Sequence, residues 1–106
     1  MSNRSEKIKQ ILHDLGARFL THNGNGVSLL TVTRAHLSSD EKRATIFFTV
    51  FPEAQEKTAL EFAKRKRSEF KEFVKEHSKL GRIPLLDFDI DMGEKNRQKI
   101  DSLLKE

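Results

Sequence analysis

The stretch Arg43-Ala44-Thr45-Ile46-Phe47-Phe48-Thr49-Val50-Phe51, followed at once by Pro52-Glu53, sets the order of strand and helix in this chain. Its polar and apolar residues alternate, as in a β-strand with one buried face. One face carries Ala44, Ile46, Phe48 and Val50, and the other carries Arg43, Thr45, Phe47, Thr49 and Phe51. Proline lacks the donor that a first helical residue leaves unpaired, and Glu53 favours the positive end of a helix dipole. The strand therefore runs directly into a helix.

The residues before this stretch predict a helix and a second strand. Apolar residues at helical spacing predict a helix from about residue 4 to about residue 21. Its apolar stripe consists of Ile8, Ile11, Leu12, Leu15 and Phe19. Turn-forming residues at 21–26 end it, and the β-branched run at 27–37 predicts a strand that forms a hairpin with residues 43–51.

The residues after this stretch predict a long helix, a third strand and a short helix. Residues 53–80, closed by Gly81, are typical of one long helix with a kink or break near Lys66 to Ser68, where a polar run interrupts the apolar pattern. Residues 83–91 alternate as a strand, and residues 93–106 predict a closing helix that packs through Ile100, Leu103 and Leu104. This order predicts an α+β domain with a three-stranded mixed sheet and helices on one face.

Length and composition exclude several classes of protein. The 106 residues suffice for one domain, residues 1–106. The absence of cysteine excludes disulfides, thiolate nucleophiles and cysteine-bound metals, and it fits a reducing compartment. Residues 1–7 lead into an amphipathic pattern without a signal-peptide core, and no 18-residue apolar run occurs, so we expect a cytoplasmic protein.

Basic residues are concentrated in the second half of the predicted long helix. The net charge of the whole chain is only +4, but residues 64–82 contain eight Lys and Arg against three Glu. On a helix, the cations Lys64, Arg67, Lys71, Lys75 and Lys79 form one continuous stripe. Such a ridge fits nucleic-acid phosphates, and it equally fits a solvated helix face with ion pairs such as Glu72 with Lys75.

The third strand and the second face of the 43–51 strand offer two further possibilities. Asp87, Asp89 and Asp91 alternate and could hold a divalent cation, as in a small metal-dependent nuclease, but an acidic solvent face is the preferred interpretation. Phe47 and Phe51 could stack on single-stranded bases, although burial under a loop or the terminal helix is the preferred interpretation.

Three segments, in order and spacing, resemble the ribosome-binding factor A family. They are the helix Arg4-Ser5-Glu6-Lys7-Ile8-Lys9-Gln10-Ile11, the strand end Leu37-Ser38-Ser39-Asp40 followed by Ala44-Thr45-Ile46-Phe47-Phe48-Thr49-Val50, and the signature Leu80-Gly81-Arg82-Ile83-Pro84-x-Leu86-x-Phe88-x-x-Asp91. The resemblance implies a type II KH-like fold. Members of this family replace the GxxG loop of KH domains by a kink of Ala-x-Gly type, whereas this chain has Lys66-Arg67-Ser68 there.

The resemblance also implies a function. It implies a non-catalytic factor, without cofactor, metal or small-molecule substrate, that binds the small (30S) ribosomal subunit and promotes late maturation and 5′-end processing of 16S rRNA. Away from the ribosome we expect a monomer with no membrane contact. The residues expected to bind rRNA are Lys64, Arg65, Lys66, Arg67, Lys71, Lys75 and Lys79, with Arg82 and Arg43 as additions. The alternative is an α+β protein-interaction module that does not bind RNA directly.

Overall fold

The computed structural model describes residues 3–23 and 28–104. The predicted order of elements is confirmed. The elements are α1 (Asn3–Asn23), β1 (Leu29–Leu37), β2 (Arg43–Phe51), a 3-10 turn (Glu53–Gln55), α2 (Glu56–Arg65), α3 (Arg67–His77), β3 (Leu85–Ile90) and α4 (Met92–Leu104). Residues 24–27, where a turn and the first strand residue are expected, lie outside the described part of the chain.

The three strands form one mixed sheet with β2 in the centre. Strand β1 pairs with β2 antiparallel, and β3 pairs with β2 in parallel, with Arg43 opposite Leu85 and Phe48 opposite Ile90. A bulge at Thr33 shifts the β1 register, because Thr33 is an extra residue between the partners of Phe48 and Phe47. The core-facing residues before and after it are therefore not in one continuous alternation. This bulge explains why the alternation in residues 27–37 is only partial.

Helices α1, α2 and α3 bury one face of the sheet, as the sequence predicts. The α1 stripe is buried at Ile8, Leu12, Leu15 and Phe19, and Ile11 packs against its edge. A row of aromatic rings links α1, α3 and β3, because the ring centroids of Phe19 and Phe70, and of Phe70 and Phe88, lie 5.1 Å apart. Such tilted aromatic pairs add to the stabilisation that burial already provides.

Helix α1 lies close to the sheet at Gly16. A Cβ atom at this position would lie 2.9 Å from Cγ2 of Ile46 and 3.7 Å from the ring of Phe70. The absence of a side chain is therefore what allows α1 to lie against β2 at this depth.

The sheet face opposite the helices is more open than the sequence predicts. Phe51 is 73% exposed, so its expected burial under a loop or terminal helix is wrong. Phe47 is half-buried, with the guanidinium carbon of Arg34 lying 4.0 Å from its ring centroid. The predicted packing of α4 is also wrong, because Ile100 and Leu103 are 56% and 70% exposed. The side chain of Leu104 lies outside what the structure describes.

Polar contacts near its first turns, rather than apolar burial, attach α4 to the rest of the protein. Asp91 caps its N-terminus, and Lys95 lies 3.3 Å from a carboxylate oxygen of Glu53 and 3.1 Å from one of Glu56. These contacts hold the start of α4 beside the 3-10 turn, and Met92, Ile100 and Leu103 remain exposed. Within the described ranges, none of the helices is both long and apolar enough to span a bilayer.

Candidate nucleic-acid interface

The predicted helix break lies at Lys66, the one residue between α2 and α3. Its backbone angles, φ −94° and ψ 7°, fall in the bridge region that L-residues can adopt. The side chain of Arg67 stabilises the break, because its Nε donates to the carbonyl oxygen of Lys64 at 2.9 Å. The break forms here without the glycine of an Ala-x-Gly kink.

The nine predicted cations lie in five settings. Lys64 and Arg65 end α2 and Lys66 occupies the break, whereas Arg67, Lys71 and Lys75 follow one another at four-residue spacing along α3. Lys79 and Arg82 lie in the loop between α3 and β3, and Arg43 begins β2. A continuous helical stripe that reaches Lys79 is therefore wrong, because α3 ends at His77.

The termination of α3 has a local cause. Ser78 has extended backbone angles, φ −142° and ψ 169°, and its hydroxyl donates to the carbonyl oxygen of Val74 at 2.7 Å. The same hydroxyl accepts the backbone N–H of Leu80 at 3.4 Å. Leu80, which extends the apolar period in the sequence, packs against the core from a loop instead.

Several of the predicted cations are paired with carboxylates. Oδ1 of Asp87 lies 3.1 Å from Nζ of Lys64 and 3.3 Å from Nη1 of Arg67. Lys66 lies 3.4 Å from Glu69, and Lys75 lies 3.9 Å from Glu72. The expected ion pair between Glu72 and Lys75 is thus present, at a distance near the upper limit for a salt bridge. All of these side chains are at least partly exposed, so each pair contributes little to stability.

The remaining predicted cations are exposed and, among the described residues, have no carboxylate within salt-bridge distance. They are Arg43, Arg65, Lys71, Lys79 and Arg82. These side chains are available to an external anion without first losing an internal partner.

Two of these cations lie at one groove of about 790 Å³. Arg43 comes from β2, and Lys71 comes from α3 together with the partly neutralised Arg67. The floor is formed by apolar side chains of β2, β3 and the loop before β3: Ala44, Ile83, Pro84, Leu85 and Leu86. The other six predicted cations are not among the lining residues: Lys64, Arg65, Lys66, Lys75, Lys79 and Arg82. A cationic rim above an apolar floor can hold a phosphate and the less polar parts of its nucleotide together.

The three aspartates of the third strand have three different environments. Asp89 is exposed, and Asp87 lies at the groove with its two cations. Burial raises the pKa of Asp87, but hydrogen bonds from Lys64 and from the backbone N–H of Phe88, with the nearby charge of Arg67, lower it below its usual range.

Asp91 is the main departure from the predicted acidic solvent face, since it is only 5% exposed. Thr33 and Arg34 donate to one of its oxygens at 2.5 and 3.2 Å, and the backbone N–H of Glu94 donates to the other at 3.0 Å. Burial raises the pKa of Asp91, but these contacts lower it below its usual range. Asp91 thus joins β1 to the start of α4. The sequence does not indicate this role when residues 83–91 are treated as one strand.

This arrangement does not favour a metal-dependent nuclease. Asp87 is occupied by two cations and Asp91 by a hydroxyl, a guanidinium and a backbone N–H. Among the residues that the structure describes, no three His, Asp or Glu side chains are placed to hold a metal ion.

The fold and the groove define an α+β protein in which helices cover one face of a three-stranded mixed sheet and cations surround a groove at its edge. The family model for ribosome-binding factor A matches residues 2–104. Two relatives carry that name: one from Geobacter sulfurreducens is 31% identical over all of this chain and 92% of its own length, and one from Geotalea daltonii is 30% identical over all of this chain and 89% of its own length.

Solved structures agree on the fold. The crystal structure of ribosome-binding factor A from Thermus thermophilus matches 81% of this chain and 94% of its own with a TM-score of 0.69, at 22% identity. The solution structure of a Thermotoga maritima protein assigned to the same factor matches 84% of each chain with a TM-score of 0.58, also at 22% identity. The chain belongs to the ribosome-binding factor A family.

Proposed function

We propose that this protein is a non-enzymatic assembly factor that binds the small (30S) ribosomal subunit through the phosphates of its 16S rRNA. In this proposal the bound protein promotes late maturation of the subunit, including processing at the 5′ end of 16S rRNA. It acts as a KH-like monomer in the cytoplasm and needs no cofactor. The main support, beside membership of the family, is the groove where Arg43 and Lys71 are both exposed and free of carboxylate partners among the described residues.

The geometry supports binding rather than reaction. Arg43 on β2 and Lys71 on α3 both line the groove, so a phosphate bound there could contact cations from two elements. Contacts of this kind provide affinity and orientation but do not read base sequence. Selectivity for one ribosomal site would then come from the shape of the rRNA surface that the protein fits.

Affinity that rests on phosphates depends steeply on salt. A protein that neutralises six to ten phosphates loses about 10³–10⁵ in affinity between about 50 and 200 mM salt. A complex held by apolar protein contacts lacks this dependence. The salt series therefore separates the proposal from a protein-interaction module.

Co-sedimentation with purified small subunits tests the proposal. We expect wild-type protein to pellet with the subunits at low salt and the folded variant Arg43→Glu/Lys71→Glu to remain in the supernatant. The control Lys57→Glu/Lys99→Glu makes the same change in charge at residues away from the groove and should pellet normally. Equal pelleting of both variants would show that the groove is not the binding site, and absence of wild-type binding would refute subunit binding itself.

One observation favours the protein-interaction module as a second candidate. Phe51 and Leu29 face each other across the β1–β2 ladder and are 73% and 65% exposed, so they offer apolar area at the end of the open sheet face. If this surface carries the function, Phe51→Ser should abolish association with the subunit, and salt should have little effect. Under the RNA-binding proposal the same substitution leaves association intact.

A further inference from the structure

The groove at Arg43 and Lys71 continues into two further hollows around the loop between α3 and β3. The second hollow, of about 340 Å³, is lined by Lys71, Lys75, Leu80, Gly81 and Ile83. It shares Lys71 and Ile83 with the groove. The two depressions are therefore neighbours with one cation between them.

The third hollow includes the N-terminus of α1, a helix that contributes none of the predicted rRNA contacts. It has a volume of about 430 Å³ and is lined by the exposed cations of the α1 N-terminus, Lys79 and a few apolar residues. The lining residues are Arg4, Lys7, Ile8, Ile11, Lys79 and Leu80. Leu80 also lines the second hollow, so the three depressions follow one another from the start of β2 to the start of α1.

The charged groups of the third hollow leave it positive. Arg4 lies 3.0 Å from a carboxylate oxygen of Glu41, which partly neutralises its positive charge. Lys7 and Lys79 are exposed, and within the described part of the chain no carboxylate lies at salt-bridge distance from either. An anion in this hollow would thus meet two unshared ammonium groups above a floor of Ile8, Ile11 and Leu80.

We propose that the three hollows form one path for a single RNA strand, and that Lys7 and Lys79 bind its phosphates at the end near α1. The proposal rests on the RNA-binding function proposed above and extends its site beyond the nine residues predicted from the sequence. Each hollow combines cations with an apolar floor, which suits a single strand because its bases and riboses are accessible. A duplex keeps its bases stacked inside and would use only the cations.

Fluorescence anisotropy with a short labelled single-stranded RNA tests the path. Each single-strand phosphate contact contributes about 0.7 to the slope of log K against log salt, which corresponds to about 5-fold in affinity at roughly 0.1 M. Loss of two contacts in Lys7→Gln/Lys79→Gln should therefore weaken binding about 25-fold and reduce the slope by about 1.4. The variant Lys7→Arg/Lys79→Arg keeps both charges and should bind like wild type.

Two further variants make failure of this inference distinguishable from failure of the proposed function. Lys57→Gln/Lys99→Gln removes the same charge away from the path, and Arg43→Gln/Lys71→Gln removes it from the groove. If Lys7→Gln/Lys79→Gln binds like the first while Arg43→Gln/Lys71→Gln loses affinity, the extended path is wrong and the groove stands. If both bind like the first, the groove assignment fails as well. Equal affinity for a duplex of the same sequence, with equal losses in the variants, would overturn the single-strand assignment.

Discussion

Replacing Asp87 by Asn should strengthen RNA binding. The carboxylate Oδ1 of Asp87 lies 3.1 Å from Nζ of Lys64 and 3.3 Å from Nη1 of Arg67, and it also accepts the backbone N–H of Phe88 at 2.9 Å. Asparagine has the same shape and can still accept a hydrogen bond through its amide oxygen, but it carries no charge. The substitution therefore releases two cations, Arg67 at the groove and Lys64 at the end of α2, while it preserves local packing.

The size of the effect follows from the number of cations released. If Lys64 and Arg67 each gain one single-strand phosphate, affinity should rise about 25-fold at roughly 0.1 M salt, and the salt slope should steepen by about 1.4. The cost to stability is small, because the side chains of Asp87, Lys64 and Arg67 are 41%, 38% and 49% exposed. Exposed ion pairs contribute about 0.2–1 kcal/mol each, so we expect the free energy of unfolding to fall by about 1 kcal/mol.

The assay is an anisotropy titration with single-stranded RNA at several salt concentrations, with Asp101→Asn as the matched control. Asp101 lies 2.9 Å from Arg97 on α4, so its substitution makes the same change in charge away from the groove, while Arg97 keeps its pairing with Glu94. We expect only the small gain from net charge in this control. If Asp87→Asn gains no more than Asp101→Asn, Lys64 and Arg67 do not reach phosphate. If Asp87→Asn weakens binding, Asp87 positions the cations instead of masking them.

Substitutions at four other positions test the fold. Gly16→Ala should lower the free energy of unfolding, measured in urea, by about 1–3 kcal/mol, because the new Cβ clashes at the α1–sheet contact. In the control Gly93→Ala the new Cβ would lie 3.5 Å from its nearest atom, so the free energy of unfolding should rise by up to about 1 kcal/mol. Equal effects of the two substitutions would contradict the close approach at Gly16. Asp91→Ala should cost about 1–3 kcal/mol, because a helix cap and a buried acceptor are lost. Because the pKa of Asp91 is lowered in the folded protein, its ionised form stabilises the fold above the unfolded-state pKa of about 3.9. The difference in the free energy of unfolding between wild type and Asp91→Asn should therefore shrink as the pH falls through the folded-state pKa. A constant difference down to about pH 2 would contradict this. Phe51→Ser should change the free energy of unfolding by no more than about 0.5 kcal/mol, and a larger loss would show that the exposed ring is packed.

Local patterns were sufficient for most of the fold. The apolar stripe of α1 and the alternation in β2 each depend on residues within one element. The face of each element that packs against the core follows directly from its period. The end of α3 cannot be predicted from such patterns, because Leu80 fits the helical period of α3 but packs against the core from a loop. The attachment of α4 was also missed, although Asp91 followed by Glu94 is a recognisable start signal for a helix.

For the candidate site, the sequence identified the residue types but not their partners. Asp87 lies 23 positions from Lys64 and 20 from Arg67, so only the packing of β3 against α2 and α3 brings them together. The same is true of Lys7, which belongs to the α1 N-terminus and meets Lys79 only after the chain has folded. A charge count along the sequence overstates the free cations on α2 and α3, and it does not show that a cation of α1 lies beside Lys79.

The break at Lys66 determines which of these cations can be tested for phosphate contact alone. Arg67 donates to the carbonyl oxygen of Lys64 and pairs with Asp87, so its side chain stabilises the break as well as the groove. A loss of binding in Arg67→Gln would therefore combine a missing charge with a less stable break. Lys71 lies one turn further along α3, is exposed, and has no carboxylate at salt-bridge distance among the described residues. Binding lost in Lys71→Gln at unchanged stability thus measures phosphate contact at the groove.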